Sequence, residues 1–345
     1  MNEFFGHGQK LLTKESFMKM DSFWERALLG LGLVLLIATV AAPSHGSAEG
    51  SFDRTLKVTG PVQLEVSTGS GSIHVRPGSS DRVHIVGTIR ASEGWNGGAE
   101  ERVRRLEANP PIEQDGNIIR IGHIQDEGLK RNISISYELE VPAETQLRSE
   151  SGSGSQEVRG LTGPVKAETG SGSITLSDVK LEVQAHTGSG SITLESVGAG
   201  AQLHTGSGSI RARDVHGRVN AQTGSGGITL EQSAPGDVEA ETGSGHMELH
   251  NVHGMLRAET GSGGIEVDGQ PTGDWRLEAG SGGISVRLPA DAAFDFHAHT
   301  GSGGITIDHP LTIQATVSRS DLQGKVHGGG HLLEVRTGSG HIEVR

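Results

Sequence analysis

The chain has 345 residues, with 54 Gly, no Cys and few aromatics (7 Phe, 3 Trp, 1 Tyr), and its 29 basic against 42 acidic side chains give a net charge of −13. That acidity argues against nucleic acid, whose phosphates need a basic face, and against anionic lipid. The lack of Cys removes disulfide scaffolds, thiolate metal sites, iron–sulfur clusters and thiol nucleophiles. Gly at roughly 16% is more than twice the usual ~7%, while Gly and Pro together stay below the level of low-complexity disorder, so a regular repeat is the first explanation to test.

Residues 27–42 (ALLGLGLVLLIATVAA) run without a charge and lead into Pro43-Ser44. The run is shorter than the ~20 apolar residues of a membrane span and suits the apolar region of a signal peptide. Val40-Ala41-Ala42 and Gly46-Ser47-Ala48 are two small-residue cleavage sites, and initiation at Met18 or Met20 gives a signal of ordinary length. Residues 1–48 are read as a signal peptide or a signal anchor. Either reading puts the rest of the chain outside the cytoplasm: in the periplasm, on the cell surface or secreted.

Residues 49–150 read as an irregular amino-terminal cap. Ser51–Arg76 holds two strands and a first Gly-Ser-Gly tripeptide, and Val83–Ile89 alternates as a strand. Gly98–Ala108 (GAEERVRRLEA) is the one helical stretch, ended by Asn109-Pro110-Pro111. Asn117–Gly122 and Asn132–Val141 read as strands.

From 151 to 345 the tripeptide recurs. Its first Gly falls at 69, 152, 170, 188, 206, 224, 243, 261, 280, 301 and 338. A period near ~18.5 residues held this tightly marks a solenoid, each repeat being one unit stacked on the last. The last interval spans two periods, and Ser318-Arg319-Ser320 sits where a degenerate tripeptide would fall. Each unit has one alternating run before the tripeptide (Val165–Thr169, Val219–Thr223) and one after it (Ile174–Leu176, Ile192–Leu194). Thr169 and Ile174 are both expected inside although five positions apart, so inward parity breaks at the tripeptide, as a bulge or tight turn requires. The glycines are expected to supply positive φ there. Stacking in sequence order predicts a rod on the order of 50 Å, at ~4.8 Å per coil. It also predicts an external column of Glu195, Arg213, Glu231, His250, Asp268, Arg287 and Asp308, in which opposite charges mostly alternate.

The run Ile133–Pro142 leading through Thr145 into "GPVKAETGSGSI", with the Gly-rich close Gly328–Gly340, resembles the bacterial β-strand-repeat family of putative adhesins, a domain of unknown function. The resemblance covers about Ser51 to Arg345 and implies a single β-solenoid on a bacterial envelope; it supplies no catalytic residues. Many relatives carry Asp after the tripeptide, whereas Ser173, Gly227, His246, Gly264 or His341 stands here, so no acidic ladder is expected at that place.

The 17 His are the main source of candidate chemistry. His297 and His299 share one outward strand face, with Arg276 and Glu278 expected one coil earlier, so His297, His299 and Glu278 form a weak candidate zinc triad. His186 and His204 are expected to stack, with Glu168 beside His186; His246, His250 and His253 form a third group. Solvated surface His is the reading adopted for all three, so no metal site is assigned. A phosphate cradle needs a Lys or a helix after the glycines, and neither follows. Asp178 and Asp214 recur at one turn, but Ser196, Gln232 and Asn251 interrupt any calcium ladder. Carboxylates such as Glu241 and Glu259 recur without the long loops that frame a glycosidase groove. The Thr column at 169, 187, 205, 223, 242 and 260 is expected to point inward.

The expectation is an all-β protein, a single-chain β-solenoid (β-helix or β-roll) of 18–19-residue coils, with residues 49–150 as its cap and 151–345 as its Gly-Ser-Gly repeats. Its expected role is non-enzymatic: an exported cell-envelope adhesin or surface interaction module with no catalytic residue and no cofactor, meeting a protein or glycan. The alternatives are a periplasmic scaffold self-associating through its ends, where His341–Arg345 would leave an edge strand, an envelope-stress accessory protein, and a β-helix carbohydrate-active enzyme.

Overall fold

The computed structural model describes residues 47–93, 98–313 and 318–345. The expected export segment therefore lies outside the described residues. Among the described residues there are 27 strands, all in one hydrogen-bonded system, and two helices. None of these helices is long and apolar enough to cross a membrane. The fold is an all-β solenoid.

Its coils follow the alternation in the sequence. The strand before each tripeptide stacks parallel and in register on its counterpart: Val165, Val183, Ala201, Val219, Val238, Leu256 and Trp275 form one inward row. The strand after it does the same, with Ile174, Ile192, Ile210, Ile228, Met247, Ile265 and Ile284 as the matching row. Nearly every member of both rows is almost wholly buried. Each buried Val, Leu or Ile contributes about 1.5–3 kcal/mol, so every coil adds several such increments. The narrow interior suits these side chains and leaves little room for aromatics; among the described residues Phe52 and Tyr137 lie in the amino-terminal cap, Phe294 and Phe296 at the other end of the stack, and Trp275 alone in these rows.

The corners are built by Thr and Gly together. Thr187, Thr205 and Thr223 are buried as expected. Thr205 Oγ1 donates to the Gly190 carbonyl of the preceding coil at 2.8 Å and accepts from the Gly208 N–H of its own corner at 3.1 Å. The same pair of bonds recurs at Thr169 and Thr187. The second glycine of each corner is required for another reason than the one expected. The second glycines Gly172, Gly190, Gly208, Gly226 and Gly245 do not adopt positive φ; of the second glycines only Gly263, Gly282 and Gly303 do, at 147–158°. Instead, a Cβ on Gly208 would lie 1.9 Å from the Gly190 carbonyl oxygen. Corners stack too closely for a side chain.

Positive φ is used at the opposite corner, by Asp178, Ser196, Asp214 and Asn251, at 53–57°. The interrupted Asp178–Asp214 series is thus a series of turn residues. Gln232 has no positive φ: it pairs with Val215 across a register shift, is buried, and donates its amide to the Gly236 carbonyl at 3.0 Å.

Both ends depart from sequence order. At the amino end, Gln63–Thr68 and Ile73–Pro77 stack directly on Gln146–Ser151 and Gln156–Arg159, so the wide gap between the first two tripeptides is a single coil step in space. The intervening chain folds outward. Strands Ile118–Ile121 and Ile133–Val141 cover the first coil, and Ser47–Lys57 and Arg82–Ser92 extend the sheet antiparallel. The segment read as two strands thus holds three. The expected helix is present as α1 (Ala99–Ala108), burying Ala99, Val103 and Leu106.

At the carboxyl end, stacking in order fails. Trp275–Ala279 is followed in space by Leu333–Thr337, and only then by Phe296–Thr300. Likewise Ile342 lies between Ile284 and Ile305, so His341–Arg345 is no free edge: Ile342–Val344 is paired on both sides. The premise of self-association through that strand is removed. Nor is there a degenerate coil at Ser318–Ser320. That stretch leads into Asp321–Val326, which runs antiparallel to Phe294–His299 and caps the stack. The inserted coil also separates Asp308 from Arg287 in the external column; Glu195 to His250 and Asp268 to Arg287 are in register, and where the ladder shifts between them His250 Nδ1 still lies 2.6 Å from Asp268.

Candidate functional site

The candidate zinc triad is not assembled, because of the inserted coil. Glu278 pairs with Arg336, and Arg336 with His299, so a guanidinium stands between the carboxylate and the imidazole. His299 instead lies 3.2 Å from Asp321. His297 faces Glu334 at 3.9 Å. Glu334, 7% exposed, is the centre of this cluster: Arg276 Nε donates to it at 2.7 Å and Arg336 approaches within 2.5 Å. Glu334 is not legible as a centre in the sequence, since Arg276 and His297 lie 58 and 37 residues earlier and only the inserted coil brings it between them.

His186 and His204 do stack, with ring centroids 4.8 Å apart and planes 1° from parallel. Glu168 lies in register beside His186. Lys166 Nζ lies 2.8 Å from the Glu168 carboxylate, and its hydrogen bond holds that carboxyl below the usual range, with Arg148 and His186 adding to the effect. The members of the third His group diverge. His250 binds Asp268, His253 Nδ1 meets the Asn251 carbonyl at 2.8 Å, and His246 lies 3.9 Å from Glu248. Among the described residues no three His, Asp or Glu converge as a metal would require.

The stacked register converts these scattered residues into rows. On the outer face before the tripeptides, one row reads Arg148, Lys166, Gln184, Gln202, Asn220, Glu239, Arg257, Arg276, Glu334, His297. Its neighbour runs from Glu150 through Glu168, His186, His204, Gln222, Glu241, Glu259, Glu278 and Arg336 to His299 over the same pairings. Adjacent members are one strand apart, ~4.8 Å. Midway along, a shallow open groove of about 320 Å³ is bounded by Gln184, Gln202, Asn220 and the two stacked His. Glu241 and Glu259, weighed above as catalytic carboxylates, are ordinary members of the second row. What the face offers chemically is a long, flat set of hydrogen-bond donors and acceptors at a fixed repeat.

Residues 180–345 match the model of the Toastrack DUF4097 family. The family is one of unknown function. Three solved structures are similar: a putative cell adhesion protein from Clostridium sporogenes (12% identity, 86% of this chain and 99% of that one, TM-score 0.21), a putative adhesin from Bacteroides fragilis (12%, 86% and 97%, 0.31) and a putative adhesin from Parabacteroides distasonis (10%, 85% and 97%, 0.35). No curated protein matches the chain.

Proposed function

We propose that the protein is a non-enzymatic, exported interaction module of the bacterial cell envelope, an adhesin in the broad sense, which meets an extended protein or glycan partner with the outer face before its tripeptides. The carrying observation is the pair of unbroken side-chain rows from Arg148 and Glu150 to His297 and His299. An extended partner laid along them meets a charged, amide or imidazole side chain from each row at every coil. Such a surface gains its strength from many weak contacts in register rather than from one deep pocket. Charged groups on it form exposed pairs such as Arg257–Glu259, at 2.6 Å, which are worth only ~0–1 kcal/mol each and are readily exchanged for a partner's groups.

Protease shaving of intact cells carrying a carboxy-terminal tag tests the location, with lysed cells as control. Loss of the tag from intact cells is expected. Protection until lysis would overturn a surface role. The face itself is tested by Gln202→Glu together with Asn220→Glu, which adds like charge to the row without touching the core. Adherence of cells is expected to fall while the chain stays cooperatively folded, its unfolding midpoint lowered only by the lost surface bonds to Glu182 and Glu239; unchanged adherence would contradict the assignment of this face.

A further inference from the structure

The first coil lacks part of its neighbour. The cap strand Ile118–Ile121 covers the first coil up to Val66, and Ile133–Val141 covers it again from Ile73, through Tyr137. Ile135 even supplies the carbonyl to which Thr68 Oγ1 donates, at 2.7 Å, in place of a preceding glycine. Between them the chain does not turn a Gly-Ser-Gly corner. It detours through residues 122–132, including α2 (Glu127–Lys130). The place where the preceding corner would sit is a cavity of about 420 Å³.

Two N–H groups of the first corner, on Gly69 in the cavity wall and on Ser70 next to it, lack the acceptors that later corners find. In the coils that follow, the first two residues of the corner donate to the corner before: Gly152 N–H to Thr68 and Ser153 N–H to Gly69, then Gly170 N–H to Ser151 and Ser171 N–H to Gly152, at 3.0–3.2 Å. The corresponding Gly69 and Ser70 N–H groups have no backbone acceptor among the described residues. A Cβ on Gly69 would meet nothing within 4 Å. The cavity wall is otherwise mixed: Ile124, Ile133, Ile135 and Tyr137 are apolar, while Lys130 and Glu150 bring opposite charges. Lys130 is paired with Glu127 at 2.7 Å and Glu150 with Arg148 at 2.7 Å. The Tyr137 hydroxyl is buried without a partner, a second polar group that the protein leaves unsatisfied beside this space.

Two consecutive N–H groups pointing at one place form an anion-binding concavity, the kind that captures carboxylates. We propose that this cavity binds a small carboxylate with an apolar body, its oxygens taking the Gly69 and Ser70 N–H groups beside Lys130 and its apolar part lying against Ile124 and Ile135. A peptide carboxy-terminus and a free aliphatic acid share that chemistry. The site touches the outer-face rows only at their first member, Glu150, and its occupancy does not depend on their role.

The test uses the full chain labelled with ¹⁵N-glycine, titrated with N-acetyl-leucine, hexanoate and, as the uncharged control, N-acetyl-leucinamide. A saturable shift of the Gly69 amide is expected with at least one acid, with a Kd of about 1 mM as suits so small a ligand, and at least tenfold weaker binding of the amide. Tighter binding of N-acetyl-leucine identifies a peptide terminus, and tighter binding of hexanoate an aliphatic acid. Ile124→Trp, which fills the cavity, is expected to abolish the shift, and Lys130→Gln to weaken it several-fold. The Gly190 and Gly208 resonances in each variant report that the stack is intact. No saturable Gly69 shift with either acid, equal affinity for the amide, or unchanged binding to folded Ile124→Trp would overturn the proposal.

Discussion

Replacing Thr205 by Val keeps the side-chain shape and removes the hydroxyl that serves two coils. The Gly190 carbonyl and the Gly208 N–H would both lose their partner inside a buried corner. A cost of about 1–3 kcal/mol is expected from such unsatisfied groups, read as a lower urea midpoint, with Thr205→Ser restoring most of it. Gly208→Ala should be worse, since its Cβ would press on backbone that cannot yield. Ser207→Ala, on the exposed residue between them, should change stability by no more than about 0.5 kcal/mol. That Thr205 points inward is legible in the sequence from its five-residue offset to Ile210. Its hydrogen-bond cycle is not, because one partner belongs to another coil and exists only once the coils stack.

At the same scale, Glu168 links stability to pH. Its carboxyl is held below 4.5 first by the Lys166 hydrogen bond. A lowered folded pKa means stability that is complete above the unfolded value and is lost as the pH falls through the folded one. Stability should therefore decline from about pH 4.5 downward by slightly less in Glu168→Gln than in the parent protein. The side chain is 35% exposed, so solvent screening keeps the difference at about 0.5 kcal/mol or less. Matched urea titrations at pH 5 and pH 3 check the sign.

Among elements, the strand His331–Ser339 differs most from its sequence-based expectation. Period, parity and corner positions are local signals and were readable, as were α1 and the strand starting near Ile133. The neighbour of a given coil is not a local signal. All Gly-Ser-Gly corners are nearly alike, so nothing in the tripeptide at Gly338 tells whether it docks on Gly301 or Gly280. Ser318–Ser320 has small residues at the right interval, which imitates a coil, although the chain there enters an antiparallel cap. The specific information lies in side chains far apart in sequence: Glu334 finds Arg276 on one side and His297 on the other. Glu334→Ala should therefore loosen the inserted coil. Because Arg276 and Arg336 are both more than half exposed and can return to water, the loss should fall near the low end of the 1.5–3 kcal/mol range for charged hydrogen bonds. Faster amide exchange confined to Leu333–Thr337 and its neighbours would report it; uniform exchange across the stack would not fit.

For the whole molecule, the insertion turns the last residues of the chain into interior structure. Deleting 338–345 from a solenoid stacked in order would trim one end. Here it would strip the pairing partners from Ile284 and Ile305 together and open two buried edges. The truncated chain is expected to aggregate or to lose cooperative unfolding, which size-exclusion chromatography and a thermal melt would show; a well-folded monomer with an unchanged melt would argue against the insertion. The same topology keeps the outer rows continuous to His297 and His299, so the proposed interaction face and the stacking order stand together.

The chain has no cysteine of its own, which makes the stacking order directly measurable by paired substitution. Glu278, Arg336 and His299 are consecutive exposed members of one outer row. Neighbouring strands lie ~4.8 Å apart, within disulfide reach, while strands two steps apart lie at ~9.6 Å, beyond it. Under mild oxidation, Glu278→Cys with Arg336→Cys should form an intrachain disulfide, and Glu278→Cys with His299→Cys should stay reduced. Cross-linking of the 278–299 pair with the 278–336 pair left reduced would contradict the inserted coil and the continuous face built on it.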